Sequence, residues 1–256
     1  MVGGLALCGG ASRCILAPAW TELGECQPAW RLDLPGAALG QGVSLGVFGG
    51  FRSLAADFLW LRANVFWEER NSAATLGSLR LVTTVDPRPL VFWLNGARIM
   101  AYDIPVWRIS ALGGREVVPA AVRHHIEAEQ ARLALAWLDD GLKFHPMSPA
   151  IFIEQANICL NCQDDRAAAA ANYRRASEQP DAPYYAARLY AELLRRMGRK
   201  GEALAWLKQL HPRLPPDDDA AAAALVLARI RELEAELAVP VERRYLQGMR
   251  QQKGTN

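Results

Sequence analysis

Apolar and polar positions alternate with a helical period along most of this chain, and the helices fall into a repeating frame. In "GEALAWLKQLHPRLPPD" the small residue Ala203 is followed by Leu207, Leu210 and Pro215. The same spacing gives Ala169, Tyr173 and Ala176 before Pro180-Asp181, and Ala134, Leu138 and Gly141 before Pro146. The leading small residues stand 35 and 34 positions apart. Further back, "TLGSLRLVTTVDP" carries Leu79, Val82 and Pro87 in register, with Thr75 where the small residue is expected. A period of about 34 residues built from two helices is the mark of a helical solenoid. The pattern therefore predicts an all-α chain of helix-turn-helix units. Each has a helix A, starting at Ala56, Leu90, Ala150 and Tyr184, followed by a helix B with the small-to-proline ending.

Packing explains the spacing. Small residues at Ala63, Ala97, Ala134, Ala169 and Ala203 let two helices approach closely, and large neighbours fill the space beside them. Proline stops helix B and sets the entry of the next helix A. One interval is broken: the small residue expected near position 109 appears at Ala134, so roughly 25 residues are inserted. The insert includes "DIPVWRISALGGREVVP", whose Pro105, Gly113-Gly114 and Pro119 read as breakers. A loop over 103–121 is expected, then a long helix B from near Pro119. The stretch "DDDAAAAALVLARIRELEAEL" predicts a C-terminal capping helix with an acidic start, and residues 240–256 a weakly ordered tail. Residues 1–52 read as an irregular segment or the remnant of an anchor, leaving 53–239 for about four repeats.

On these residues the chain resembles the tetratricopeptide repeat (TPR) family from about Ala56 to Pro215. "PLVFWLNGARIMAY" supplies Trp93, Ala97 and Tyr102 as a helix A of that family does, and Gly198 sits at an A-to-B turn. The resemblance implies a concave inner face lined by helix A. On it would lie Trp60, Asn64 and Trp67 from the first repeat, and Asn95, Arg98 and Tyr102 from the second. Glu154 and Ile158 come from the third, and Arg188, Glu192 and Arg195 from the fourth. Asn64 and Asn95 fall where one TPR subclass holds a peptide carboxylate, but Trp60 and Ile151 occupy two places where that subclass is basic. Aromatic residues of helix A also serve as core, and Trp93 is expected there. The short run "FRSLAADFLWLRA" is similar to a stretch of bacterial envelope TPR proteins that follows a hydrophobic N-terminal segment. That likeness implies tethering to the inner membrane, with a cytoplasmic location as the alternative.

Composition narrows the chemistry. The 256 residues are 51% hydrophobic and 22% charged, as in a folded protein. With 29 basic and 27 acidic residues there is no bias toward nucleic acid. Five irregularly spaced cysteines argue against a disulfide framework, and the single CxxC, Cys159 to Cys162, reads as two helix residues, one buried and one near the surface. His124 and His125 are adjacent, so they diverge on a helix; His125 and Glu129 could share a metal, but no third ligand is evident. No phosphate-cradle or nucleophile motif occurs, and no cofactor is implied. "MVGGLALCGGASRCILAPAW" holds four glycines and Arg13, which suits neither a signal peptide nor a membrane span.

The leading reading is a non-catalytic scaffold that binds a protein or peptide segment in a concave groove, through Trp60, Asn64, Trp67, Asn95, Arg98, Tyr102, Arg188 and Arg195. A second is a permanent subunit or assembly factor of a membrane-envelope complex, docked through the tryptophan-rich first half. A third is an enzyme with its site in the 103–121 insert.

Overall fold

The computed structural model of the chain describes residues 51–246. The segment expected to be irregular lies outside these residues except for Phe51 and Arg52, as does the tail from 247 onward. The first hairpin pairs α1 (Arg52–Glu68) with α2 (Ser72–Val85). Next, α3 (Leu90–Arg98) runs through a π turn (Ile99–Asp103) into α4 (Ile104–Ala111), and returns as α5 (Ala120–Leu142). Two further hairpins follow, α6 (Pro149–Cys162) with α7 (Arg166–Ser177) and α8 (Tyr184–Arg196) with α9 (Lys200–Leu210). The last helix is α10 (Ala223–Glu236). Each hairpin packs on the next in chain order, and among the described residues there is no strand. That nearest-neighbour stacking makes the chain an all-α helix-turn-helix solenoid. Helix A begins at Leu90 and Tyr184 as the pattern predicts, one residue early in the third repeat and four early in the first.

The small residues sit at the helix crossings. Ala97, Ala134, Ala169 and Ala203 are fully buried and Ala63 nearly so. Thr75 is tolerated in the small position because its hydroxyl donates to Asn71 O at 2.8 Å, leaving no unpaired buried polar atom. The A-to-B turns share one device. Arg70, Asp164 and Gly198 each close helix A in the left-handed conformation, with φ of 54°, 49° and 80°. In the first and third repeats the next residue caps helix B: Asn71 Oδ1 accepts from Ala74 N–H and Asp165 Oδ1 from Ala168 N–H.

The insert departs from expectation. No loop begins at 103: the helix continues to Ala111, and only residues 112–119 turn back. Pro105 should break a helix, because it cannot donate to Ala101 O and its ring crowds that carbonyl. The π turn accommodates it by widening the helix just before, where Ile104 N–H reaches Ile99 O. The freed Ala101 carbonyl receives the thiol of Cys162 from α6, at 3.8 Å. Gly113 and Gly114, with φ of 107° and 89°, then end the helix, and α5 starts after Pro119 as expected.

The C-terminal cap also starts later than its composition suggests. Asp217 to Asp219 form a turn, with Asp218 Oδ1 accepting from Ala220 N–H at 2.8 Å, and the helix begins at Ala223 after Ala222 at φ 49°. Beyond it, Tyr245 N–H donates to the buried Glu234 at 2.6 Å, and the Tyr245 ring meets His211 edge-on at 5.5 Å.

The extended second hairpin is locked by reciprocal tryptophan contacts. Trp137 from α5 lies over Gly96, and Trp93 from α3 lies over Gly141. A Cβ at Gly96 would stand 2.9 Å from Trp137 Nε1. Gly96→Ala should therefore cost about 1–3 kcal/mol through forced displacement of the indole. Gly77→Ala, on the exposed side of α2 with nothing within 4 Å of the new methyl, should instead stabilise by roughly 0.5–1 kcal/mol. Urea denaturation of both variants checks the contrast; equal effects would mean the close approach does not exist.

Candidate functional site

Helix A of each repeat carries the residues expected on the inner face, and the structure sorts them into three groups. Around the start of the solenoid, Trp60 is half-buried, its ring 5.2 Å from that of Phe92 between two core clusters. Asn64 and Asn95 are also half-buried. Trp67 is exposed, yet its indole N–H donates to Asp103 Oδ2 at 2.8 Å and its ring meets Trp107 edge-on at 6.4 Å. Trp93 is core, donating from Nε1 to Pro87 O at 2.7 Å.

The second group surrounds the π turn. Arg98 donates from Nε and Nη2 to Glu154 Oε2 at 2.9 and 2.8 Å. Glu154 is buried beneath it, and Ile158, expected on the inner face, is wholly enclosed with Met100 and Ala101. Arg98 is thus the surface end of an ion pair between α3 and α6. Burial pushes the Tyr102 hydroxyl up to about 12, against the hydrogen bond to Asn161, so it stays protonated. Burial likewise raises the Cys162 thiol to about 11, which keeps it an S–H donor rather than a thiolate.

The third group forms a groove between α8 and the capping helix α10. It is lined by Tyr185, Arg188, Leu189, Glu192, Arg195, Arg196, Leu225 and Arg229, among others. Arg188 does not face the groove freely: Nη1 donates to Ala220 O and Ala221 O at 3.0 and 2.8 Å and holds the turn before α10. Glu192 receives a bidentate pair from Arg195 at 2.7 and 2.9 Å and a third bond from Arg196 at 2.8 Å, with Arg229 4.0 Å away. Those bonds, Arg195 first, outweigh burial and hold the Glu192 carboxyl down to about 2. Two guanidiniums, Arg195 and Arg196, share one carboxylate here, while Arg229 pairs with Glu232 at 2.6 Å; beside them stand the exposed apolar side chains of Tyr185, Leu189 and Leu225.

Of the sequence-derived candidates, Trp67, Arg98 and Tyr102 gather around the π turn, while Arg188 and Arg195 belong to the α8–α10 groove. Sequence reasoning missed Tyr185, Leu189, Arg196, Leu225 and Arg229. Leu225 and Arg229 recur at i, i+4 on the capping helix, a signal that shows which residues share a stripe but not that it faces α8. Elsewhere, Cys159 is buried and Cys162 half-buried, His124 and His125 are exposed or nearly so, and Glu129 is taken by Arg108 at 2.7 Å. Among the described residues no cluster of His, Cys, Asp and Glu could hold a metal ion.

No family model and no curated protein matches this chain. Among solved structures, the chain is similar to a thermophilic TPR protein of Thermus thermophilus, at 20% identity and a TM-score of 0.40 over 68% of this chain and 81% of that one.

The depressed Glu192 carboxyl has a stability consequence with a definite sign. Its folded pKa of about 2 lies below its ordinary 4.5, so the charge stabilises the fold above pH 4.5 and that contribution fades as pH falls toward 2. Glu192→Gln should lower the thermal midpoint at neutral pH, with the gap to the parent closing between those two values. A gap unchanged down to pH 2 would show that the side chain does not act through its charge.

Proposed function

We propose that this chain is a protein-interaction scaffold, holding an extended or helical segment of a partner on the inner face of its solenoid. The observation that carries the reading is the α8–α10 groove, where apolar side chains stand exposed beside more guanidiniums than carboxylates. Its chemistry suits a segment with one or two large apolar residues next to acidic ones. The predicted inner-face residues extend the surface toward the N-terminal repeats, with Trp67, Arg98 and Tyr102 as further contacts and Trp60, Asn64 and Asn95 supporting them. Arg188 positions the turn that closes the groove, Arg195 and Arg196 both bond the Glu192 carboxylate, and Arg229 stands beside them paired with Glu232.

A second reading is docking as a permanent subunit or assembly factor of a bacterial membrane-envelope complex. It draws on the exposed Trp67 and its edge contact with Trp107 in the tryptophan-rich half. In that reading membrane association runs through the N-terminal segment, as the likeness of "FRSLAADFLWLRA" implies; no helix among the described residues is long and apolar enough to cross a membrane.

Selection of displayed random peptides against the full chain tests the groove. Acidic peptides with an apolar anchor should be enriched, and Leu189→Asp or Arg196→Glu should each weaken their binding about tenfold or more. Lys143→Glu, on an exposed residue outside the groove, should leave binding unchanged. Loss on Trp67→Ala with no effect at Leu189 would instead favour the tryptophan-rich docking surface.

A further inference from the structure

The two ends of the solenoid are finished differently. At the C-terminal end α10 covers the last hairpin and turns charged residues such as Arg231 and Glu232 outward. At the other end the N-cap Phe51 and, on α1, Leu54, Phe58, Leu61 and Val65 lie on one open side, each more than half exposed. At the place of Phe58, the later repeats carry Phe92 and Phe152, which the preceding helix B covers to 4% exposure, whereas Phe58 itself is 64% exposed. The opposite side of α1 is apolar too, with Ala56 and Ala63 buried in the first hairpin. A helix apolar on both sides requires a second partner.

Spacing and charge say what that partner is. The stripe advances by 3, 4, 3 and 4 residues, the a/d seam of a two-helix coiled coil. In that frame Asp57 takes a g position and Arg62 the following e position. Both are exposed, and neither has an ion-pair partner among the described residues; Arg62 rests over the Phe66 ring, 5.4 Å from its centre. In a parallel pair of helices, g of one helix meets the next e of the other. An identical helix would therefore set Asp57 against Arg62 of the second copy, twice about the twofold axis. An antiparallel pair would set Asp57 against Asn64 and Arg62 against Ala55, and satisfy neither charge. A structureless apolar cover would leave both unpaired as well.

We propose that α1 is a homodimerisation helix, pairing in parallel with α1 of a second copy through the stripe from Phe51 to Val65, flanked by reciprocal Asp57–Arg62 ion pairs. The inference is independent of the α8–α10 groove and leaves it open in each copy. A seam two heptads long gives a reversible dimer, with monomer and dimer exchanging over roughly 1–100 µM.

Sedimentation velocity of the full chain across that range provides the test. The parent should shift from monomer to dimer with concentration. Phe58→Glu should stay monomeric with its far-ultraviolet circular dichroism unchanged. Should that variant lose its helical signal, the exposed charges still decide. Asp57→Arg and Arg62→Asp should each weaken the dimer about tenfold or more, and the double swap should restore it. A monomeric parent at the highest concentration overturns the proposal, including the case in which residues 1–50 cover the stripe within one copy. So does a dimer indifferent to Phe58→Glu, or a double swap that fails to restore association.

Discussion

The second hairpin depends on two glycines that let indoles lie on backbone. The rings of Trp93 and Trp137 meet at 4.9 Å, tilted by 49°, and each also rests against the glycine of the opposing helix, Gly141 and Gly96. Their hydrogen bonds make the arrangement directional: Trp137 Nε1 donates to Trp93 O at 3.0 Å, and Trp93 Nε1 to Pro87 O at 2.7 Å. Two large rings are thereby buried without an orphaned N–H. The second bond also ties the start of the repeat to the proline turn that ends the one before it. This unit joins the first hairpin to the later repeats, because α3 packs against α2 on one side and α6 on the other. Without the close approach of α3 and α5, the stack would divide at its middle.

The π turn follows from lengthening this same hairpin. Extending helix A past Arg98 brings Pro105 into the helix, and an ordinary α-helical path would collide with its ring. Adding one residue to the turn relieves the collision and alters the rotation of everything beyond it. Tyr102 and Asp103 are consequently presented toward their neighbours: Tyr102 contacts the α6 residues Asn161 and Cys162, and Asp103 receives Trp67 from α1. The carbonyl that Pro105 leaves unpaired is met by the Cys162 thiol, which remains protonated because it is buried. The CxxC on α6 therefore serves packing and hydrogen bonding around a backbone irregularity.

Regular features were legible in the sequence because packing repeats them. Ala97, Ala134, Ala169 and Ala203 are all fully buried, and their spacing alone located the crossings. Gly198 could be placed at a turn because the left-handed conformation favours glycine, whereas Arg70 and Asp164 do the same work without announcing it. The 103–121 segment was misread because proline and paired glycines usually interrupt helices; a π turn is set by three-dimensional fit and leaves no periodic mark. The acidic run before α10 was misplaced for a related reason, since the Asp218 turn uses the same residue type that caps a helix. Of the candidate site, the charged stripe of α8 was readable as far as Arg188, Glu192 and Arg195, while Arg196 was not singled out. The groove itself was not, because it needs α10 alongside.

Charge placement gives the molecule its functional asymmetry. Buried carboxylates are answered by cations that reach from the surface: Glu154 by Arg98, Glu234 by Lys208 and Arg231. The Arg98 and Lys208 pairs fix one helix against another, Arg231 reinforces Glu234 within α10, and little of their charge remains for a ligand. In the α8–α10 groove the ratio reverses, with Glu192 shared between Arg195 and Arg196, whose guanidiniums keep donors to spare. Desolvated carboxylates elsewhere are already satisfied, so an acidic segment gains most where cations outnumber anions. Apolar surface follows the same logic. Apart from the stripe on α1, it is Tyr185, Leu189 and Leu225 that converge on one concavity, beside those guanidiniums. The proposed binding surface lies there because the cap closes the hydrophobic core and its Glu232 engages Arg229, leaving Arg195 and Arg196 to the single carboxylate Glu192.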